Sequence, residues 1–96
     1  MEDLLTKDKA DTKIPRNYNV VMLNDDFTPV DFVVEVLIRI FGKSTEEACA
    51  LAFEVHKNGR GIAGTYPRDT AETMTMRAMN MAKAEEHPFM MQVQPS

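Results

Sequence analysis

Ninety-six residues with a net charge of −4, 44% hydrophobic content and a single cysteine describe one small domain with room for one core. Acids and bases are interspersed, which argues against the clustered Lys/Arg footprint of a nucleic-acid binder. No apolar run approaches the ~20 residues of a membrane helix. The N-terminus lacks the basic and apolar regions of a signal peptide, and Cys49 has no second cysteine to pair with, so a cytoplasmic protein is expected.

Residues 1–17 alternate acids such as Asp3 and Asp8 with bases such as Lys7 and Lys9, and hold little to bury after Leu5. A flexible N-terminal tail is expected there, either inert or a handle for another protein, with the folded domain over 18–94. Tyr18 to Leu23 has the β-branched and apolar content of a strand, and its nearly unbroken apolar run predicts a central or largely covered one. It leads into Asn24-Asp25-Asp26-Phe27-Thr28-Pro29. Thr28 before Pro29 reads as an N-cap with proline at the first helical position, and Asp31 completes a capping-box pattern. Three consecutive polar acceptors exceed what a turn needs, so the stretch is either a solvated turn or a ligand-facing corner.

Val30, Val33, Val34, Leu37 and Phe41 form the stripe of an amphipathic helix ended by Gly42. Ser44 with Glu47 is a capping box opening a second helix, whose stripe is Ala48, Leu51, Ala52 and Val55, with Cys49 and Phe53 extending it and His56 in its last turn. Asn58-Gly59 closes that helix. Gly61 to Tyr66 reads as a strand, closely approached at Gly64, and its glycines fit no phosphate-binding loop. Asp69 with Glu72 caps a third helix running to about Glu86, with Ala71, Met74, Ala78 and Ala82 along its stripe. His87-Pro88 stops it, and Phe89 to Val93 reads as the last strand. The order β-α-α-β-α-β predicts an α+β, two-layer sandwich: a small three-stranded antiparallel sheet with three helices on one face.

The residues offer little for catalysis. Asp25 or Asp26 with His56 would make two thirds of a triad, but no serine or cysteine stands in a nucleophile context. A metal site from the same residues lacks HExxH or CxxC spacing, so neither a metal nor a cofactor is expected. Binding fits better. If the corner and the end of the second helix converge, Asn24, Asp25 and His56 present acceptors to one small cationic group, and an ammonium has three donors to match them. Val30, Val33, Ala52 and Val55 would wall an apolar floor beside them.

Asn24-Asp25-Asp26-Phe27-Thr28-Pro29, Phe32-Val33, Val55-His56, Ala71-Glu72-Thr73 and His87-Pro88, in this order, resemble the ClpS family, adaptors of the Clp protease system. The likeness runs from about Tyr18 to Val93. It implies a monomeric, non-enzymatic adaptor that binds proteins whose first residue is Phe, Tyr, Trp or Leu, an N-degron, and hands them to the N-terminal domain of a ClpA-type AAA+ unfoldase for degradation by ClpAP. It further implies that Asn24, Asp25 and His56 hold the α-amino group, that Asp26 and Thr28 shape the mouth, and that Val30, Val33, Ala52, Val55 and Phe89 form the side-chain pocket. Asp69, Glu72 and Met74 fall at the surface implied to dock the unfoldase. Val30 and Ala52 stand where relatives carry larger apolar residues, and Met74 where a basic residue is common. The alternative is an interaction domain that docks on a chaperone or unfoldase without reading N-termini.

Overall fold

The computed structural model describes residues 16–96. Strand β1 (Asn17–Leu23) runs down the middle of an antiparallel sheet, between β2 (Arg60–Pro67) and β3 (Met90–Pro95). Its apolar run suits that place: Val20, Val21 and Met22 are at most 1% exposed. Apart from Arg16 and Asn17, the tail expected over 1–17 lies outside the described residues. Asn17 already pairs with Pro67, and Tyr18 pairs with Pro95, so the ladder begins one residue earlier and ends later than the sequence pattern indicates.

Three helices complete the second layer: α1 (Val30–Arg39), α2 (Thr45–Asn58) and α3 (Arg68–Ala84). The core lies between the layers, where Val20 and Met22 from the sheet meet Phe32, Val36 and Leu37 of α1, Ala48 and Val55 of α2, and Ala71, Ala78 and Ala82 of α3. Alanines at the α3 contact let the helix approach the sheet closely, while its methionines fill the flanks. Each large core side chain contributes roughly 1.5–3 kcal/mol on burial.

The caps differ in how far the sequence predicts them. Ser44 and Glu47 close the capping box in both directions, and Gly59 ends α2 in the left-handed region at φ 89°, its N–H donating to Val55 O. Thr28, however, does not cap α1. Pro29 is the N-cap residue, whose ring has no polar atom to cap with, and the Thr28 hydroxyl is turned back to Asp25. Nor do Asp69 and Glu72 cap α3, which starts from Pro67 without a side-chain cap; Glu72 instead pairs with Arg68 one turn earlier. The helix α3 ends at Ala84 rather than near Glu86. His87 N–H donates to Ala82 O and Glu86 N–H to Lys83 O, a Schellman closure with Glu86 at φ 60° in the place glycine usually takes.

Two glycines mark close approaches. A Cβ on Gly64 would lie 2.5 Å from Cζ of Tyr66, whose ring covers it, as the sequence pattern anticipates. A Cβ on Gly61 would lie 2.8 Å from Val55 Cγ2, so α2 rests directly on β2 at that point.

Candidate functional site

The corner after β1 is built around one carboxylate. Asp25 Oδ1 accepts the N–H groups of Phe27, at 2.8 Å, and Thr28, at 2.7 Å. Its Oδ2 accepts the Thr28 hydroxyl at 2.8 Å. This is the short polar side chain satisfying local backbone donors that makes aspartate a turn former. Burial works against the charge, but the Thr28 and Phe27 hydrogen bonds and the field of His87 outweigh it and hold the carboxyl below its ordinary value. Oδ1 is saturated by two donors, whereas Oδ2 has one and keeps a lone pair for another.

A backbone bond joins this corner to the end of α2: Asn24 N–H donates to Gly59 O at 3.0 Å. Gly59 follows His56 by three residues, so the αL stop of α2 is what brings the imidazole and the Asn24 side chain to one rim. Below that rim lies a cavity of about 280 Å³. Asn24, Asp25, Asp26, Thr28 and His56 form its polar side, and Val30, Val33, Ala52, Val55 and Phe89 its apolar side. Every residue that the sequence reading assigns to an amine site, a mouth or a hydrophobic pocket therefore borders this one space. Leu23 also lines it. The sequence pattern puts Leu23 at the strand end that opens the ligand-facing corner but gives it no site role; its position directly before three acceptors is the signal that marks it.

The floor is held from beneath by aromatic packing. Phe89 meets Phe32 edge to face with ring centroids 5.8 Å apart, and Phe32 meets His87 at 4.7 Å. Val55 is fixed from behind by its contact with Gly61. Phe89 and Val55 are thus backed by packing, and on the polar side Asp25 and Thr28 are held by their mutual hydrogen bonds.

Two expectations for neighbouring residues change. Val30, at the head of the α1 stripe, is 57% exposed, because the inner side of the helix is filled by Phe32, Val36 and Leu37. Cys49 and Phe53 do not join the buried face of α2: both are exposed, Phe53 at 65%. They lie a step around the helix from Ala48, Ala52 and Val55, which supply the buried contact. On α3, Asp69 and Glu72 are exposed while Met74 is half-buried against the core. Among the described residues no group of three or more His, Cys, Asp or Glu could hold a metal ion, and no helix is long and apolar enough to cross a membrane.

Comparison with known proteins gives one consistent result. The ATP-dependent Clp protease adaptor protein ClpS family matches residues 13–92. The ClpS adapter protein of Maricaulis maris is 48% identical over 86 residues, covering 90% of this chain and 79% of the relative. That of Vibrio atlanticus is 43% identical over 88 residues, covering 92% and 83%. Among solved structures, Agrobacterium tumefaciens ClpS2 bound to L-phenylalaninamide superposes with a TM-score of 0.84 at 32% identity, covering 86% of this chain and all of that one. With its β-α-α-β-α-β sandwich and its match over most of its length, the chain belongs to the ClpS family of Clp protease adaptors.

Proposed function

We propose that this protein is a non-enzymatic adaptor that binds the N-terminal residue of other proteins when it is Phe, Tyr, Trp or Leu, and delivers them to a ClpA-type unfoldase. The observation that carries the reading is the division of a single cavity into a rim of acceptors and an apolar floor. A free N-terminus is the one place in a chain where an ammonium and a side chain leave the same carbon atom. Asn24, the open lone pair of Asp25 and His56 receive the ammonium; Val30, Val33, Ala52, Val55 and Phe89 receive the side chain; Asp26 and Thr28 border the departing backbone. The Agrobacterium relative, solved with an amino-acid amide of this kind, supports the assignment.

The energetics are adequate. Burying a Phe or Leu side chain contributes roughly 1.5–3 kcal/mol, each hydrogen bond to a charged group roughly 1.5–3 kcal/mol, and association costs return several of these. A dissociation constant of about 1 μM or somewhat tighter is expected, near the upper end of these contributions. The chemistry ends at binding, and the energy for unfolding comes from the partner. The exposed first turns of α3, with Asp69 and Glu72, are the proposed docking face, to which Met74 offers only its half-exposed part.

Fluorescence anisotropy with short peptides differing only in their first residue tests this. Phe and Leu should bind, and Ser or Asp should not. Equal binding of all four, or of none, would favour the interaction-only alternative.

A further inference from the structure

Val30, Ala52 and His56 border the amine-and-side-chain cavity and also a second, wider hollow of about 520 Å³ on their other side. Its remaining walls are Asp31 and Val34 of α1 and Cys49 and Phe53 of α2. The fold makes little use of this surface: Phe53 and Val30 are among the most exposed large apolar side chains, and Cys49 is exposed. Single exposed apolar residues are ordinary, but a concave apolar surface continuous with a binding cavity is not.

We propose that this hollow is a subsite for the side chain of the second residue of the bound peptide, and that it takes a bulky apolar one. The inference rests on the reading of the first cavity as the seat of the N-terminal residue. Once that residue is seated, the next Cα is about 3.8 Å away. Successive side chains of an extended chain point to opposite sides, so the second cannot share the first cavity. The divide between the two hollows is low at Ala52, which ends at Cβ, so a peptide leaving the rim reaches the Phe53 side within one residue. Phe53, Cys49 and Val34 offer apolar surface there.

The test uses two peptides, Phe-Leu and Phe-Ala at their first two positions and identical thereafter, titrated against the full chain and its Phe53→Ala variant. Partial burial of the leucine predicts a preference of about three- to tenfold for Phe-Leu. In Phe53→Ala the preference should vanish while Phe-Ala affinity and the circular dichroism spectrum stay unchanged, since Phe53 lies outside the core. Alkylation of Cys49, the one cysteine in the chain, should be slowed more by saturating Phe-Leu than by saturating Phe-Ala. Equal affinities for the two peptides, or a preference that survives Phe53→Ala, would overturn the subsite and leave the first cavity's assignment standing. Phe53-dependent self-association of the peptide-free chain in sedimentation would give the hollow to a second copy instead. Failure of both peptides to bind would remove the first-cavity reading, and the subsite with it.

Discussion

Replacing Asp25 by Asn or by Ala separates its two roles. In the structure the carboxylate accepts three local hydrogen bonds, two on Oδ1 and one on Oδ2. Asparagine retains Oδ1 for the Phe27 and Thr28 N–H groups, and its Nδ2 can donate to the Thr28 hydroxyl, whose oxygen also accepts. The turn then survives with loss of the charge assistance, a cost of about 0.5–1 kcal/mol in unfolding free energy. Alanine leaves both N–H groups without their acceptor, which resembles loss of an N-cap and costs about 1–2 kcal/mol. Peptide binding should respond differently. The Nδ2 of asparagine places a donor where the ammonium brings another donor, and the negative charge is gone, so truncating this charge pair should cost roughly 2–5 kcal/mol, at least about thirtyfold in affinity. Urea denaturation and anisotropy with a Phe-led peptide measure the two effects side by side. A near-native stability with strongly weakened binding in Asp25→Asn is the expected result. Binding within about threefold of wild type would show that Asp25 serves the turn alone, and would refute its place in amine recognition.

The same carboxylate has a pH signature. Because its folded value lies below the ordinary 3.8, its stabilisation is fully present above that pH and is lost as pH falls through the folded value. The stability gap between wild type and Asp25→Asn should therefore be constant near neutrality and close in acid; a gap that widens on acidification would contradict the hydrogen-bond geometry. Gly61→Ala should cost about 1–3 kcal/mol by denaturation and weaken peptide binding, because the added methyl pushes on Val55, a wall of the cavity. Unchanged binding would mean that the floor is not set by this contact. Glu86→Gly should stabilise the protein by about 1 kcal/mol in thermal or urea unfolding without altering binding, since it relieves a left-handed residue outside the cavity; destabilisation would show that the Glu86 side chain matters more than its backbone.

What the sequence made legible, and what it did not, follows from the range of the forces involved. Strand β1, the Ser44–Glu47 box and the glycine stop of α2 depend on near neighbours, and all three appear where residue type and spacing put them. Of the residues bordering the cavity, Asn24, Asp25, His56, Val30, Val33, Ala52 and Val55 were legible both from side-chain chemistry and from the family resemblance, Asp26, Thr28 and Phe89 from the resemblance alone, and Leu23 was given no role by either. Thr28 was misread because two local bonds compete for one hydroxyl. A capping pattern describes the helix ahead, whereas Asp25 behind it already holds the Thr28 N–H and so captures the side chain as well. The helix faces were misread by part of a turn for a tertiary reason: periodicity gives a stripe but not which edge of it meets the sheet. Phe32 and Val36 take the inner side of α1 and Ala48, Ala52 and Val55 that of α2, and the edges left over, with Val30 on the first helix and Cys49 and Phe53 on the second, become surface. The end of α3 was missed because a Schellman closure usually announces itself with glycine, and here the position is Glu86.

The central claim is that one cavity reads an ammonium and a bulky side chain together. The most direct measurement compares a Phe-led peptide bearing a free N-terminus with the same peptide acetylated. Acetylation keeps the side chain but removes the charge and donors that Asn24, Asp25 and His56 face, and it should cost roughly 2–5 kcal/mol, taking a micromolar complex towards the millimolar range. Equal affinity for both peptides would show that the rim does not read the amine, and would contradict the account.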